Sequence, residues 1–213
     1  KKFILQKILK KRIRWNVSYK ADVNIENIDL NNFKKIDNTN KDRFLADPFV
    51  IESNGKNFIF LEDFYFSKNK GVISCYEIEN NNQKFLGPVL EENFHLSFPF
   101  IFKFENKIFM CPETHEKKEI RVYICEKFPL KWKMHMTLIT NISAVDTIIF
   151  EKDKLWWLIT CTSNNSSKDF NELNIFFSEE GPVTKNWKPH CLNPITVNPN
   201  ISRNGGIIFK EDK

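Results

Sequence analysis

A segment of this 213-residue chain recurs about every fifty residues, and this repeat limits the possible folds more than any other feature. Ala46-Asp47-Pro48-Phe49-Val50-Ile51, Ser97-Phe98-Pro99-Phe100-Ile101-Phe102, Val145-Asp146-Thr147-Ile148-Ile149-Phe150 and Gly205-Gly206-Ile207-Ile208-Phe209 each place a small or turn-forming pair before three apolar residues. Counted from Pro48 to Pro99, Thr147 and Gly206, the steps are 51, 48 and 59 residues. Self-similarity at that period signals a propeller or a solenoid.

In the first three copies a polar turn leads to a second apolar run, at residues 57–61, 107–111 and 154–159, which predicts a hairpin in each. Polar residues follow these runs: Glu62-Asp63, Pro112-Glu113-Thr114 and Thr160-Cys161-Thr162. A third apolar stretch comes next, as in Val72-Ile73-Ser74-Cys75-Tyr76. A variable outer stretch then ends at a proline or tryptophan corner, Gly87-Pro88, Pro129 to Trp132 or Trp187-Lys188-Pro189. Short strands rich in β-branched and aromatic residues, about four to a repeat, predict an all-β propeller. A β-sandwich of look-alike strands is the alternative. The expected organisation is a basic arm, linker or closing strand over residues 1–42, then a partial propeller over residues 43–213 with repeats starting near 46, 97, 145 and 204. That makes three blades and the first strand of a fourth. An open propeller leaves sheet edges unpaired, so further C-terminal sequence or a covering partner is expected.

Charge is uneven. Of 32 Lys and Arg, seven lie in residues 1–14, leaving 25 against 27 acidic residues elsewhere. The repeats therefore lack the clustered cations that nucleic-acid binding requires. The arm, with Phe3, Ile4, Leu5, Ile8 and Leu9 among its lysines, reads as a solvated linker helix or as a peripheral contact to an anionic membrane. No apolar run is long enough to cross a bilayer as a helix. The five cysteines show no CxxC or Cys/His spacing, so neither a metal site nor a cofactor is expected, and their scatter through apolar strands suggests a reducing, cytoplasmic setting.

The inner strands of a propeller line its axis, so residues opening each first strand converge although fifty positions apart. Asp47 opens the first and Asp146 the third. Two carboxylates facing one pocket suit glycosidic-bond chemistry or sugar binding. The competing reading is that each aspartate caps a turn.

Ala46-Asp47-Pro48-Phe49-Val50 and the stretch from Val145 to Leu158 resemble the first and third blade openings of the five-bladed furanosidase-like propellers, notably glycoside hydrolase family forty-three. The resemblance implies a general base at Asp47 and, at Asp146, the aspartate that tunes and orients the acid. The glutamate acid of that family opens the fourth blade, where this chain has Ser202-Arg203-Asn204-Gly205-Gly206. A closer resemblance, from about residue 43 to the C-terminus, rests on Phe94-His95-Leu96-Ser97-Phe98-Pro99-Phe100, Pro112-Glu113-Thr114, Trp156-Trp157-Leu158, Trp187-Lys188-Pro189-His190 and Arg203-Asn204-Gly205-Gly206. These motifs are similar to the N-terminal domain of the plant glucosamine inositolphosphorylceramide transferases, which also occurs in bacterial proteins, some carrying a formyltransferase-like domain. It implies a carbohydrate-related propeller beside a separate transferase domain.

Further polar residues are expected near the same funnel. Glu113 is the best substitute acid, since Pro112 fixes its backbone and Cys111 and Phe109 would desolvate it. Glu62, Asp63, His95, His115 and Arg203 are the expected ligand-binding residues, with Arg203 clamping an anionic group or pairing with Asp47 or Asp146. Two classes of function follow. One is an accessory module holding a glycan or nucleotide-sugar beside a glycosyl- or formyltransferase in surface glycan biosynthesis, and the other is a glycan-processing enzyme using Asp47, Asp146 and an unorthodox acid. An interaction scaffold with an inert funnel is the third possibility.

Overall fold

The computed structural model describes residues 12–20, 29–79, 82–163 and 169–208. Residues 1–11, which hold most of the basic stretch expected to form a membrane or linker helix, lie outside them. Two short strands, β1 (Ser18–Tyr19) and β2 (Lys34–Lys35), pair antiparallel near the N-terminus. Three antiparallel sheets follow. Blade one is β3 (Arg43–Ser53), β4 (Lys56–Tyr65), β5 (Lys70–Glu79) and β6 (Asn82–Leu90). Blade two is β7 (Ser97–Phe104), β8 (Lys107–Glu113), β9 (Glu119–Lys127) and β10 (Lys131–Thr140). Blade three is β11 (Ala144–Lys152), β12 (Leu155–Thr162) and β13 (Glu172–Ser178), with β14 (Lys188–Pro189) and β15 (Thr196–Val197) both on the outer edge of β13. These are blades of a five-bladed β-propeller.

The same turn closes each inner hairpin. Asn54-Gly55, Glu105-Asn106 and Asp153-Lys154 carry positive φ at both central residues, from 47° to 72°, as a two-residue type I′ turn requires. That turn matches strand twist, which explains why Asn, Gly and Asp recur there.

Alternation along the strands decides which blade each side chain meets. In β4, Phe58 and Phe60 join Ile101, Met110 and Tyr123 of blade two in one buried cluster. Their neighbours Ile59 and Leu61 point the opposite way, against Val17, Tyr19 and Ile36. The N-terminal segment thus covers the face of blade one that a further blade would otherwise cover. Between blades two and three, Phe100, Phe109, Cys111 and Val122 pack on Ile149, Leu158 and Trp187. Burying aromatic side chains at these seams contributes about 1.5–3 kcal/mol each. Phe60 and Phe109 both lie between blades. Trp157 is on the outer face of blade three, beside Phe177 and His190.

Among the described residues the fourth repeat, up to residue 208, has no ladder partner. Ile207 and Ile208 share a cavity with Val50, Phe100, Phe102 and Phe150 of the three inner strands.

Candidate axial site

All three inner strands carry a β-bulge at the same place. The pairings Ala46 with Glu62 and Phe49 with Phe60 leave Asp47 and Pro48 opposite one residue of β4. Ser97 with Glu113 and Phe100 with Cys111 do the same for Phe98 and Pro99, and Val145 with Cys161 and Ile148 with Ile159 for Asp146 and Thr147. The first residue of each bulge has a left-handed backbone, with φ of 48° at Asp47, 44° at Phe98 and 52° at Asp146. Non-glycine residues seldom hold that conformation, and a bulge re-aims the side chain it carries. Sequence reasoning put the aspartates at strand starts or turn caps. They are instead interior bulge residues, turned towards one cavity.

That cavity, about 360 Å³, is bounded by Asp47, Phe98, Asp146, Arg203, Asn204 and Gly205. The Phe98 backbone N–H favours the charged Asp47 carboxylate, so the bulge of blade two bears on the acid of blade one. Burial, then the charges of Asp146 and Glu113, push Asp47 up to about 6. Asp146 is buried and grips Arg203. Its two oxygens accept from Nε and Nη2 of the guanidinium, the latter at 3.1 Å. Burial still raises its pKa, with Arg203 opposing. Asn204 donates its amide to the carbonyls of Asp146, at 2.6 Å, and Ile159, at 3.1 Å, fixing the loop to both strands of the bulge.

Glu62 and Glu113 end on the same side, one strand out from the axis. His95 Nε2 lies 3.6 Å from Glu62 Oε1. Its Nδ1 accepts from the Gly71 N–H at 2.9 Å, so Nε2 carries the proton and faces Glu62. Burial lowers the His95 pKa and favours that neutral form. Gly71 is required there, because a Cβ would stand 2.5 Å from the Leu96 carbonyl and 2.8 Å from the His95 ring. Burial first, then Asp47 and Glu113, raise Glu62 to about 8, so it holds its proton at neutral pH. Glu113 accepts from His115 Nδ1 at 2.8 Å, and that bond raises the His115 pKa.

Phe109 and Cys111 share a face of β8 with Glu113, towards the seam with blade three, and Glu62 is a second buried carboxyl. One expectation changes. Asp63 leaves the site, because strand alternation turns it to the other face of blade one. There it accepts from Arg43 at 2.9 Å, Ser74 at 2.9 Å and Tyr65 at 3.2 Å. Asp47, Asp146, Glu62, Glu113, His95, His115 and Arg203 are brought together. Asn204, Gly71 and the Phe98 N–H were missed; only the repeat phase, which aligns Phe98 with the two aspartates, hinted at any of them.

A family model described as the N-terminal part of glucosamine inositolphosphorylceramide transferase 1 matches residues 3–213. The rice (Oryza sativa subsp. japonica) glucosamine inositolphosphorylceramide transferase 1 is 37% identical over 173 residues, 78% of this chain and 23% of that protein. The Arabidopsis thaliana counterpart is 32% identical over 174 residues, 79% of this chain and 22% of that protein. The chain thus spans about a quarter of these relatives. Among solved structures, a family 117 glycoside hydrolase of the marine bacterium Zobellia galactanivorans matches with a TM-score of 0.60 at 14% identity, over 76% of this chain and 60% of that one. A β-1,3-galactosidase of family 43 matches at 0.58 and 11% identity, over 76% of this chain and 38% of that one. At such identities the likeness concerns the fold.

Proposed function

We propose that this chain, which belongs to the family of N-terminal domains of glucosamine inositolphosphorylceramide transferase 1, is a carbohydrate-binding propeller module that holds a glycan in its axial cavity. It serves a glycosyl- or formyltransferase domain, in the cytoplasm, in the synthesis of surface glycans. The observation that carries this reading is the pair of bulge aspartates on one cavity, one of them neutralised by Arg203. Sugar hydroxyls need acceptors and donors within a few ångströms of each other. Asp47 and the Arg203–Asp146 pair supply both. Arg203 and Asn204 stand where the resembling hydrolases carry their proton donor, which favours binding over hydrolysis.

Titrating the chain with neutral, amino and acidic oligosaccharides and with nucleotide-sugars tests the reading. Asp47→Asn and Asp146→Asn should each weaken sugar binding about ten- to a hundredfold, the equivalent of losing one charge-assisted hydrogen bond. If no sugar binds, or if both variants bind as wild type does, the propeller is an interaction scaffold with an inert funnel.

A second reading, glycan cleavage, is favoured by one observation. Asp47 and Glu62 border a common cavity with pKa values pushed apart, to about 6 and about 8, as a base and an acid require. Release of reducing sugar by wild type and not by Glu62→Gln would establish it.

A further inference from the structure

We infer that the cavity between the N-terminal segment and blade one is a second sugar subsite, so that the ligand is an oligosaccharide chain laid across Asp47 rather than a single sugar. The inference rests on the axial cavity being a sugar site. This second cavity, about 500 Å³, is lined by Trp15, Asn16 and Ser18 on one side and by Asp47, Pro48 and Glu62 on the other. Its volume lies within the range of small-molecule sites, about 300–1,000 Å³. Asp47 and Pro48 border both cavities, which makes the two spaces neighbours across one bulge.

Two side chains lining this cavity are suited to a sugar. Trp15 is 64% exposed, although its backbone is pinned: its carbonyl accepts from the Leu45 N–H at 3.3 Å. Beside it, the Arg14 guanidinium donates to the carbonyls of Arg43, Asn38 and Asn40 at 3.2, 3.3 and 2.7 Å. An indole held at the rim of a cavity offers a flat apolar face. Glu62 is the second. Its side chain is 8% exposed, and it makes no hydrogen bond among the described residues, His95 being 3.6 Å away. A carboxyl lining a cavity keeps hydrogen-bonding capacity for a ligand that enters it.

A pyranose or furanose answers both features. Its C–H face stacks on an aromatic ring, and its vicinal hydroxyls bond a carboxylic acid that donates and a carboxylate that accepts. Phosphate does not fit, because no lysine or arginine is among the described residues lining this cavity, while two acidic side chains are. The occupant is therefore a neutral sugar unit of a glycan and not the nucleotide half of a sugar donor.

The test compares methyl β-glycosides of glucose, galactose, arabinose and N-acetylglucosamine with the matching disaccharides, by isothermal titration against the intact chain. A disaccharide should bind about tenfold tighter than its monosaccharide. Trp15→Ala should reduce the disaccharide to monosaccharide affinity, Trp15→Phe should restore most of the difference, and Asp146→Asn should weaken both ligands alike. Circular dichroism confirms that the variants fold, which the exposure of Trp15 favours. Equal affinities for monosaccharide and disaccharide, or a difference that survives Trp15→Ala, would overturn the subsite and leave the axial site standing. Absence of binding by every sugar would overturn both.

Discussion

Arg203 reaches across 57 residues of sequence to close a two-pronged ion pair on Asp146, the bulge residue of blade three. The Asp146 side chain is 7% exposed and the Arg203 side chain 50%, so the arginine brings charge from the surface to a largely buried carboxylate. Removing one partner leaves the buried carboxylate uncompensated. Arg203→Met should therefore lower stability by about 1–3 kcal/mol, each kcal/mol shifting Tm by roughly 2–4 °C in a chain of this size. Adding Asp146→Asn to Arg203→Met should recover part of that loss. If the double variant is less stable than Arg203→Met by the full cost of Asp146→Asn, the two residues are not coupled.

The raised pKa values of Asp47 and Glu62 predict how stability depends on pH. Both groups hold protons in the folded chain above their ordinary values of 3.8 and 4.5, with folded values of about 6 and about 8. Unfolding then releases protons, so stability is highest at the acid end of this window and falls as pH rises. From about pH 4 to 6 both groups contribute, and Glu62 continues to about pH 8, where the raised pKa of His115 adds a decline of the same sign. Denaturant melts of wild type and Glu62→Gln across this range should show a wild-type decline between pH 6 and 8 that becomes clearly shallower in the variant. Parallel curves would place the Glu62 proton elsewhere.

Gly71→Ala tests the support of His95. The new methyl would meet a backbone carbonyl that cannot yield, and it would push the imidazole off the Gly71 N–H. A loss of about 1–3 kcal/mol is expected, together with a shift of the His95 ring resonances in NMR. An unchanged His95 spectrum would show that the ring does not depend on this glycine.

How much of this was legible in the sequence depends on what each residue answers to. The repeat showed the blades because Phe58, Phe100, Phe109 and Ile149 respond to burial, which leaves a period. The funnel was legible in outline, since Asp47 and Asp146 share a repeat position. Their backbone was not, because the bulge is defined by pairing with Leu61 and Thr160, and no local pattern reports two residues facing one. The strands also run further than expected. β4 continues through Glu62 and Asp63 to Tyr65, and β12 continues to Thr162. Polar residues ended the apolar runs, but in an axial site polar residues belong to the strand. Once the strand extends, alternation separates Glu62 from Asp63, a division that adjacency in sequence hides.

The left-handed bulge makes Asp47 a test of backbone as well as charge. Asparagine tolerates φ of 48° nearly as well as aspartate does, whereas a β-branched residue does not. Asp47→Asn should melt within about 0.5 kcal/mol of wild type and Asp47→Val should lose about 1–3 kcal/mol, measured by chemical denaturation. Equal stability of the two variants would mean that the bulge relaxes when its aspartate is replaced.

The most direct measurement is a crystal structure of the chain soaked with the oligosaccharide that binds it most tightly. The account predicts one sugar ring between Asp47 and the Arg203–Asp146 pair, hydrogen-bonded to the Asp47 carboxylate, with the next ring against Trp15 and Glu62. A sugar bound away from Asp47, with only water between the two bulge aspartates, would contradict it.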